Sequence, residues 1–412
     1  MDFAQIIFLG CSIVSLLHGS RGILVHVLHG KGEHMKLEWR PAVFGALVIL
    51  NVSALGAVTA ARQAGADQAP QMSETFFKNV QILKGIPVDE FMDVMGMFSA
   101  SLGFDCASCH SEELYKDRAA FAIATPLIQR ARQMLVMMNT LNRANFAGQP
   151  RVTCFTCHRG SNQPASIPNL ALQYSELIED PSAMAISPDA GVTVDQVFNK
   201  YLQALGGAER LASLTSMVAT GTYEGFNTGG APVRIEIFSA APDKRTQIVQ
   251  APDGVGIKTF DGRNAWAAEP WRPMPLLTLT AGNLSGARLE AIVSFPAGIQ
   301  KAFGKWQVSS TQIDGRPVQI LQGTNAGEAP VNFYFDQSGI LVRTVRWNRT
   351  AAGTVPVQVD YADYRDVAGV KMPFRMIMTW TDGQNTFQLS DIRPNVQIEA
   401  IRFARPAPFK RG

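Results

Sequence analysis

The chain has 412 residues, 46% of them hydrophobic and 17% charged, with a formal net charge of +3. That length fits two or three domains, and so mild a charge, without any long Lys/Arg run, excludes nucleic acid as an expected partner. No Walker loop, strand-linked GxGxxG or HExxH is present, which removes the usual signatures of nucleotide binding and zinc-protease chemistry.

In chain order, the first clear segment is 35–66. Lys36 and Arg40 precede an apolar run from Val43 to Val58, and Ala64-Gly65-Ala66 forms a small-x-small site before Asp67. This is signal-peptide architecture; the competing reading is an uncleaved membrane anchor of about 18 residues, near the lower limit for a span. Both readings put residues 67–412 outside the cytoplasm, in the periplasm. Residues 1–34 then read as an over-extended start, with Met35 as the initiator.

Residues 67–160 read as helical. Phe76, Val80 and Leu83 keep a helical spacing; Pro87 opens a helix from Val88 to about Ser101, closed by Gly103. Thr125-Pro126 pairs a cap with proline at the first helical position. The helix after it runs to about Phe146, with Leu127, Ala131, Met134, Met138 and Leu141 on one face. Residues 161–192, with Pro164, Pro168, Pro181 and Pro188, read as a linker or a surface loop. At Thr193 a capping box with Gln196 starts an amphipathic helix that Gly206-Gly207 ends. Thereafter the apolar period changes to two, as in Val233–Ile237 and Asn332–Asp336, with turns at Gln337–Gly339 and Asp366–Gly369. The expected fold is therefore multidomain: an all-α domain, 67–160, followed by a mainly antiparallel β domain, 193–412, with a curved sheet and an N-terminal helix.

The haem expectation comes from the inventory of sulfur and imidazole. Past residue 35 the chain carries four cysteines and two histidines, all in two CxxCH units: Cys106, Cys109 and His110, then Cys154, Cys157 and His158. Covalent haem c needs two thiols three positions apart for the two vinyl groups, and a histidine directly after the second thiol to reach the iron. A tetrahedral zinc site could use the same side chains, but zinc does not need histidine in that place. A redox CxxC would want a βαβ context, absent here. Two three-residue disulfides would be strained. The expected cofactors are two covalently bound haem c groups.

No further histidine exists past residue 35, so the sixth iron ligand should be methionine, which raises the potential. Met72, Met92, Met95, Met97, Met134, Met137 and Met138 lie in 67–160. Two of these should be ligands and the others core filler; spacing alone does not choose. Arg130, Arg132, Arg143 and Arg159 would serve either as partners for haem propionates or as solvated surface.

The stretches Phe77–Met95, SLGFDCASCH, ARQMLVMMNTLN and VTCFTCHRG, spanning about residues 74–165, resemble the photosynthetic reaction centre cytochrome c subunit family. That resemblance implies Met/His haems with each ligand on the helix before its attachment site. Met95 then serves the first haem with His110, and Met134, with Met137 as alternative, serves the second with His158. It implies an electron carrier rather than an enzyme, which re-reduces the photo-oxidised chlorophyll pair from a soluble donor. Full-length members bind four haems and this chain carries one pair; loop 142–153 lacks the histidine that members use for a further haem. The stretch from 193 on is unlike any part of that subunit. VDQVFNKYLQALGG, FDQSGILVR, DYRDVAGVKMPFRM and Ile392–Phe403 more weakly resemble outer-membrane lipoprotein-sorting (lipoprotein-carrier) proteins, whose curved sheet holds acyl chains.

Three functions follow: electron transfer between a donor and a membrane-associated acceptor, either a photosynthetic reaction centre or another respiratory complex; a di-haem peroxidase or oxidase, if one iron loses its methionine; and carriage of a lipid or other apolar ligand by the C-terminal domain.

Overall fold

A computed structural model describes residues 69–168, 170 and 183–409, with the backbone of three strands near the N-terminus. The chain divides into two compact units, Met1–Ala69 and Pro70–Gly412. In the first, β1 (Phe8–Leu9), β2 (Ser12–Gly19) and β3 (Gly22–Val27) form an antiparallel meander. The expected signal peptide or anchor, 35–66, lies outside the described residues.

The second unit starts with α1 (Ser73–Phe76), α2 (Val88–Leu102), α3 (Cys106–Cys109), α4 (Pro126–Asn145) and α5 (Cys154–His158). The helix expected through Phe76, Val80 and Leu83 stops at Phe76. Asn79 (φ 62°) and Gly85 (φ 77°) take left-handed backbone that a helix cannot accommodate. α4 has the expected limits, with the Thr125 hydroxyl accepting from the Ile128 N–H at 3.2 Å. Its buried side chains, however, are Leu135, Met138 and Asn142, while Leu127, Met137 and Leu141 stay exposed. The helix packs inward on the stripe next to the one its apolar pattern suggests. Among the described residues no helix is long and apolar enough to cross a membrane.

α6 (Val194–Ala204) begins on the Thr193/Gln196 capping box, and α7 (Ala208–Ala212) follows the Gly206-Gly207 break. The strands are β4 (Ser216–Gly225), β5 (Val233–Ala240), β6 (Lys244–Ala251), β7 (Gly254–Phe260), β8 (Ala265–Ala268) and β9 (Leu277–Leu279), then, after α8 (Ala281–Val293), β10 (Lys305–Ile313), β11 (Arg316–Thr324), β12 (Val331–Phe335), β13 (Leu341–Thr350), β14 (Gly353–Val367), β15 (Val370–Trp380) and β16 (Gly383–Pro394). They form one antiparallel sheet of 13 strands, two meanders joined where β16 pairs with β4. α6 buries Val197, Phe198 and Tyr201 in a core shared with Leu321, Phe333 and Phe335; each such side chain contributes about 1.5–3 kcal/mol. β12 is buried along its whole length despite its alternating sequence. On one face Phe333 and Phe335 join the α6 core, and on the other Tyr334 packs with Ile320, Val345 and Ile186. Asn332 is satisfied there by Gln322 Nε2 at 2.8 Å and by the Ala183 carbonyl at 3.2 Å.

The N-terminal part is not an all-α cytochrome domain set apart from a β domain, and the expected fold class fails there. Residues 70–412 are one compact unit dominated by the sheet, and α2 is built into it. Val88 shares a core with Phe260, Ala265 and Leu277, while Val94, Met97, Leu135 and Met138 share one with Ala352 and Val355 of the β13–β14 hairpin. Between these cores the Asp89 carboxylate accepts from the Thr280 N–H (2.6 Å) and hydroxyl (2.8 Å), and Asp93 accepts from Asn283 (2.9 Å) and Asn348 (3.1 Å). Asn348 also accepts from Arg346. Short connections and too little apolar surface of their own leave the helices dependent on the sheet for burial.

Burial raises the Asp89 pKa above its ordinary 3.8, opposed by its bonds to Thr280. A raised folded pKa contributes stability that is full below the unfolded value and is lost as the pH rises through the folded one. Asp89→Asn should flatten that downward slope. At acid pH, where Asp89 already carries a proton and one of its oxygens is a donor, the amide is nearly isosteric and the substitution should cost less than about 1 kcal/mol. Denaturant unfolding of both proteins across pH 3–8 checks both effects.

Candidate haem site

Each CxxCH unit is one helical turn held by a side-chain cap. Asp105 accepts from the Ser108 N–H at 2.8 Å and its hydroxyl at 2.6 Å; Thr153 and Thr156 form a reciprocal capping box. The middle residues of each motif therefore close the turn that puts its two sulfurs on neighbouring positions i and i+3. None of the four thiols is in a disulfide: Cys106 and Cys157 are exposed, Cys109 and Cys154 half-buried. Burial pushes the thiols of Cys106, Cys109 and Cys154 up, so they stay protonated. Among the described residues no three His, Cys, Asp or Glu side chains gather into a metal-holding group. The two pairs of thiols therefore do not make a closed tetrahedral site.

The histidines carry the most informative geometry. His110 Nδ1 lies 3.0 Å from the Phe121 carbonyl oxygen, and His158 Nδ1 lies 3.0 Å from the Ser161 carbonyl oxygen. A carbonyl only accepts, so each Nδ1 carries a proton, and in the neutral imidazole that leaves the lone pair on Nε2. That is the arrangement a metal-ligating imidazole adopts, with its outer N–H fixed by a backbone acceptor. The Phe121 ring stands edge-on to His110 at 4.8 Å, and burial lowers the His110 pKa, which keeps the ring neutral.

The methionines separate by burial. Met97 and Met138 are core, at 6% and 4% exposure, while Met95 and Met134 are half-buried and Met137 is exposed. Met134 lies on a stripe of α4 with Leu127, Met137 and Leu141, the last three at least 40% exposed. This unpartnered apolar surface beside free thiols and oriented imidazoles fits a large flat apolar group such as haem. The Ser101 hydroxyl, fully buried where α2 meets the second motif, has no hydrogen-bond partner among the described residues.

The two motifs are held by different contacts. The Thr125 hydroxyl, at the start of α4, donates to the Cys109 carbonyl at 2.6 Å. α2 packs on α5 instead: the Gly160 N–H donates to the Ser101 carbonyl at 2.9 Å, and a Cβ on Gly103 (φ 67°) would meet the Gly160 oxygen at 2.6 Å. Asn142 ties the end of α4 to the second motif, its amide donating to the Val152 carbonyl (2.7 Å) and accepting from the Val152 N–H (2.9 Å). Arg132 is engaged with the Asn79 carbonyl at 2.7 Å; Arg130, Arg143 and Arg159 form no ion pair among the described residues. Sequence reasoning missed the carbonyls of Phe121 and Ser161, because every residue has one. The Asp105 and Thr153 caps were legible as side chains three residues before Ser108 and Thr156.

A cleft of about 280 Å³ lies between α8, the loop 325–329, β12 and β13, lined by Leu284, Leu289, Ile292, Phe303, Val331 and Trp347 among others. It is at the lower end of small-molecule sites, roughly 300–1,000 Å³.

Residues 44–182 match the family described as "Photosynthetic reaction centre cytochrome C subunit", and residues 289–391 match a family of unknown function, DUF6544. A curated relative, the photosynthetic reaction center cytochrome c subunit of Roseobacter denitrificans, is 27% identical over 104 residues, which cover 24% of this chain and 28% of that protein. The chain thus spans less than a third of the length of that relative. Among solved structures, a LolA superfamily protein from Nitrosomonas europaea has 14% identity and a TM-score of 0.35, covering 51% of this chain and 97% of that one. A putative outer membrane lipoprotein-sorting protein domain from Vibrio parahaemolyticus has 14% identity and a TM-score of 0.33, covering 50% and 97%.

Asn142 is 4% exposed, and among the described residues no other side chain bonds both polar groups of Val152. Asn142→Ala should cost about 2–4 kcal/mol in denaturant unfolding, since two backbone groups lose their partners. It should also open 146–153 to limited proteolysis.

Proposed function

We propose that this chain is a di-haem c-type cytochrome that transfers electrons outside the cytoplasm. The observation that carries the reading is the pair of CxxCH imidazoles, each with Nδ1–H donated to a backbone carbonyl and Nε2 left free. Cys106 and Cys109 would hold one haem and Cys154 and Cys157 the other, through thioethers. His110 with Met95, and His158 with Met134, would hold the two irons. Bound haem supplies a one-electron iron couple, which methionine ligation sets at high potential.

The chain's own part is to bind and orient. The caps at Asp105 and Thr153 hold the sulfurs on one turn, and the Phe121 and Ser161 carbonyls hold the imidazole planes. Met95 on α2 and Met134 on α4 are half-buried, and from there their thioethers would hold the iron and limit water around it. With a histidine and a methionine both holding each iron, neither would keep a site for peroxide or oxygen, so a carrier fits better than an oxidase. The match of 44–182 to the reaction centre cytochrome family supports the same role. By that likeness the acceptor is a membrane-associated redox complex, a photosynthetic reaction centre or another respiratory complex, and the donor is a soluble carrier.

A pyridine haemochrome assay on the purified chain should give two haems, and Cys154→Ala/Cys157→Ala should give one. Met95→His should move a single haem to a much lower potential in a redox titration, because imidazole stabilises ferric iron more than a thioether does. Two unchanged potentials would remove Met95 from the ligand set, and a zinc-containing, haem-free protein would end the reading.

A further inference from the structure

We propose that the exposed surface around the second CxxCH unit is the docking face for an acidic redox protein, a claim that rests on the electron-carrier reading above. From Arg118 through Ser175 the sequence holds six arginines, no lysine and no Asp or Glu. Around the first unit the balance is reversed: Asp105, Glu112, Glu113 and Asp117 surround it, against Lys116. The electron-transfer segment is therefore electrically polarised, with its second motif at the positive end.

The fold gathers that charge at one motif. The Asn142–Val152 clamp joins the chain neighbours of Arg143 and Arg151, and Arg159 directly follows His158. All three are exposed, and among the described residues none forms an ion pair. Beside them stand two exposed aromatic rings, Phe155 at 50% and Phe146 at 41%. Aromatic residues within a charged rim, close to the exposed Cys157, make the kind of small, electrostatically steered surface that transient redox complexes use.

The residue type favours a protein partner. An arginine fork pairs bidentately with a carboxylate, whereas membrane attraction needs only point charge. Three basic side chains give only about 3 kcal/mol at an anionic bilayer, short of stable attachment.

The test uses the full-length holoprotein and its Arg143→Gln/Arg151→Gln/Arg159→Gln variant. Electron transfer is followed by stopped flow with an acidic blue-copper protein as the probe and a basic cytochrome c as the control, from about 10 to 200 mM ionic strength. The rate with the acidic probe should fall as salt rises, and the variant should lower it about tenfold at low salt, with the control unchanged. Equal rates for wild type and variant with the acidic probe at low salt would overturn the proposal. So would a shifted haem potential with an unchanged salt response, which makes these arginines propionate partners. Sedimentation with phosphatidylglycerol vesicles that the variant loses, while the acidic probe reacts as before, would assign the face to a membrane instead. A chain isolated without haem would sink the electron-carrier reading alone. The docking claim is then decided by chemical-shift titration of the acidic probe, where equal binding by wild type and variant rejects it.

Discussion

The structure turns on one buried polar contact: the acidic edge of α2 against α8 and β13. Asp89 and Asp93 are taken out of water, which costs free energy that only a full set of partners offsets. Thr280, Asn283 and Asn348 supply those partners, and Arg346 anchors Asn348 from the sheet side. The apolar residues flanking the contact, Val88 on one side and Val94 with Met97 on the other, enter two separate cores. α2 is thereby held in position and rotation, since a helix turned by one residue would leave buried carboxylates unpaired.

What α2 then organises is the segment that carries both CxxCH units. Its C-terminal turn touches Gly160, and Gly96 meets Thr381 and Asp382 in the β15–β16 turn closely enough that a Cβ would lie 2.7 Å from the Thr381 hydroxyl. The β13–β14 hairpin closes from the other side, where a Cβ on Gly353 (φ 137°) would lie 2.8 Å from Thr153. Two hairpin tips of the sheet therefore brace α2 and the second motif. Rigidity of this kind suits an electron carrier, because a ligand set that moves little between oxidation states keeps reorganisation small. α4 is braced on one stripe only, and its adjoining stripe of Leu127, Met134, Met137 and Leu141 stays exposed or half-buried.

Much of the local structure was legible. Thr125-Pro126, the Thr193/Gln196 box, Gly103 and the strand alternation from Val233 mark real starts and stops, because caps and turns depend on side chains within a few residues of each other. The failures concern faces and partners. The apolar pattern of α4 contains two adjacent stripes, and only the packing of Leu135 and Met138 against Val94 and Met97 decides which one is inside. β12 alternates in sequence yet is buried on both sides, since α6 covers one face and residues 183–189 supply cover for the other through Ala183 and Ile186. The expectation of a free-standing helical domain failed for the same reason. A charged residue such as Asp89 reads as surface unless its distant partners, Thr280 and Asn283, are known.

The sequence by itself determined the chemistry on offer: four thiols and two imidazoles in two identical spacings, with methionine as the ligand type left over. Those are properties of residue identity and of separations of three or four positions, which covalent geometry preserves in any fold. Only the tertiary structure decided which nitrogen of each histidine is free, which methionines are buried, and that the helices share cores with a 13-stranded sheet. Each of these depends on contacts between residues far apart in the chain or on backbone carbonyls, and neither leaves a local mark in the order of amino acids.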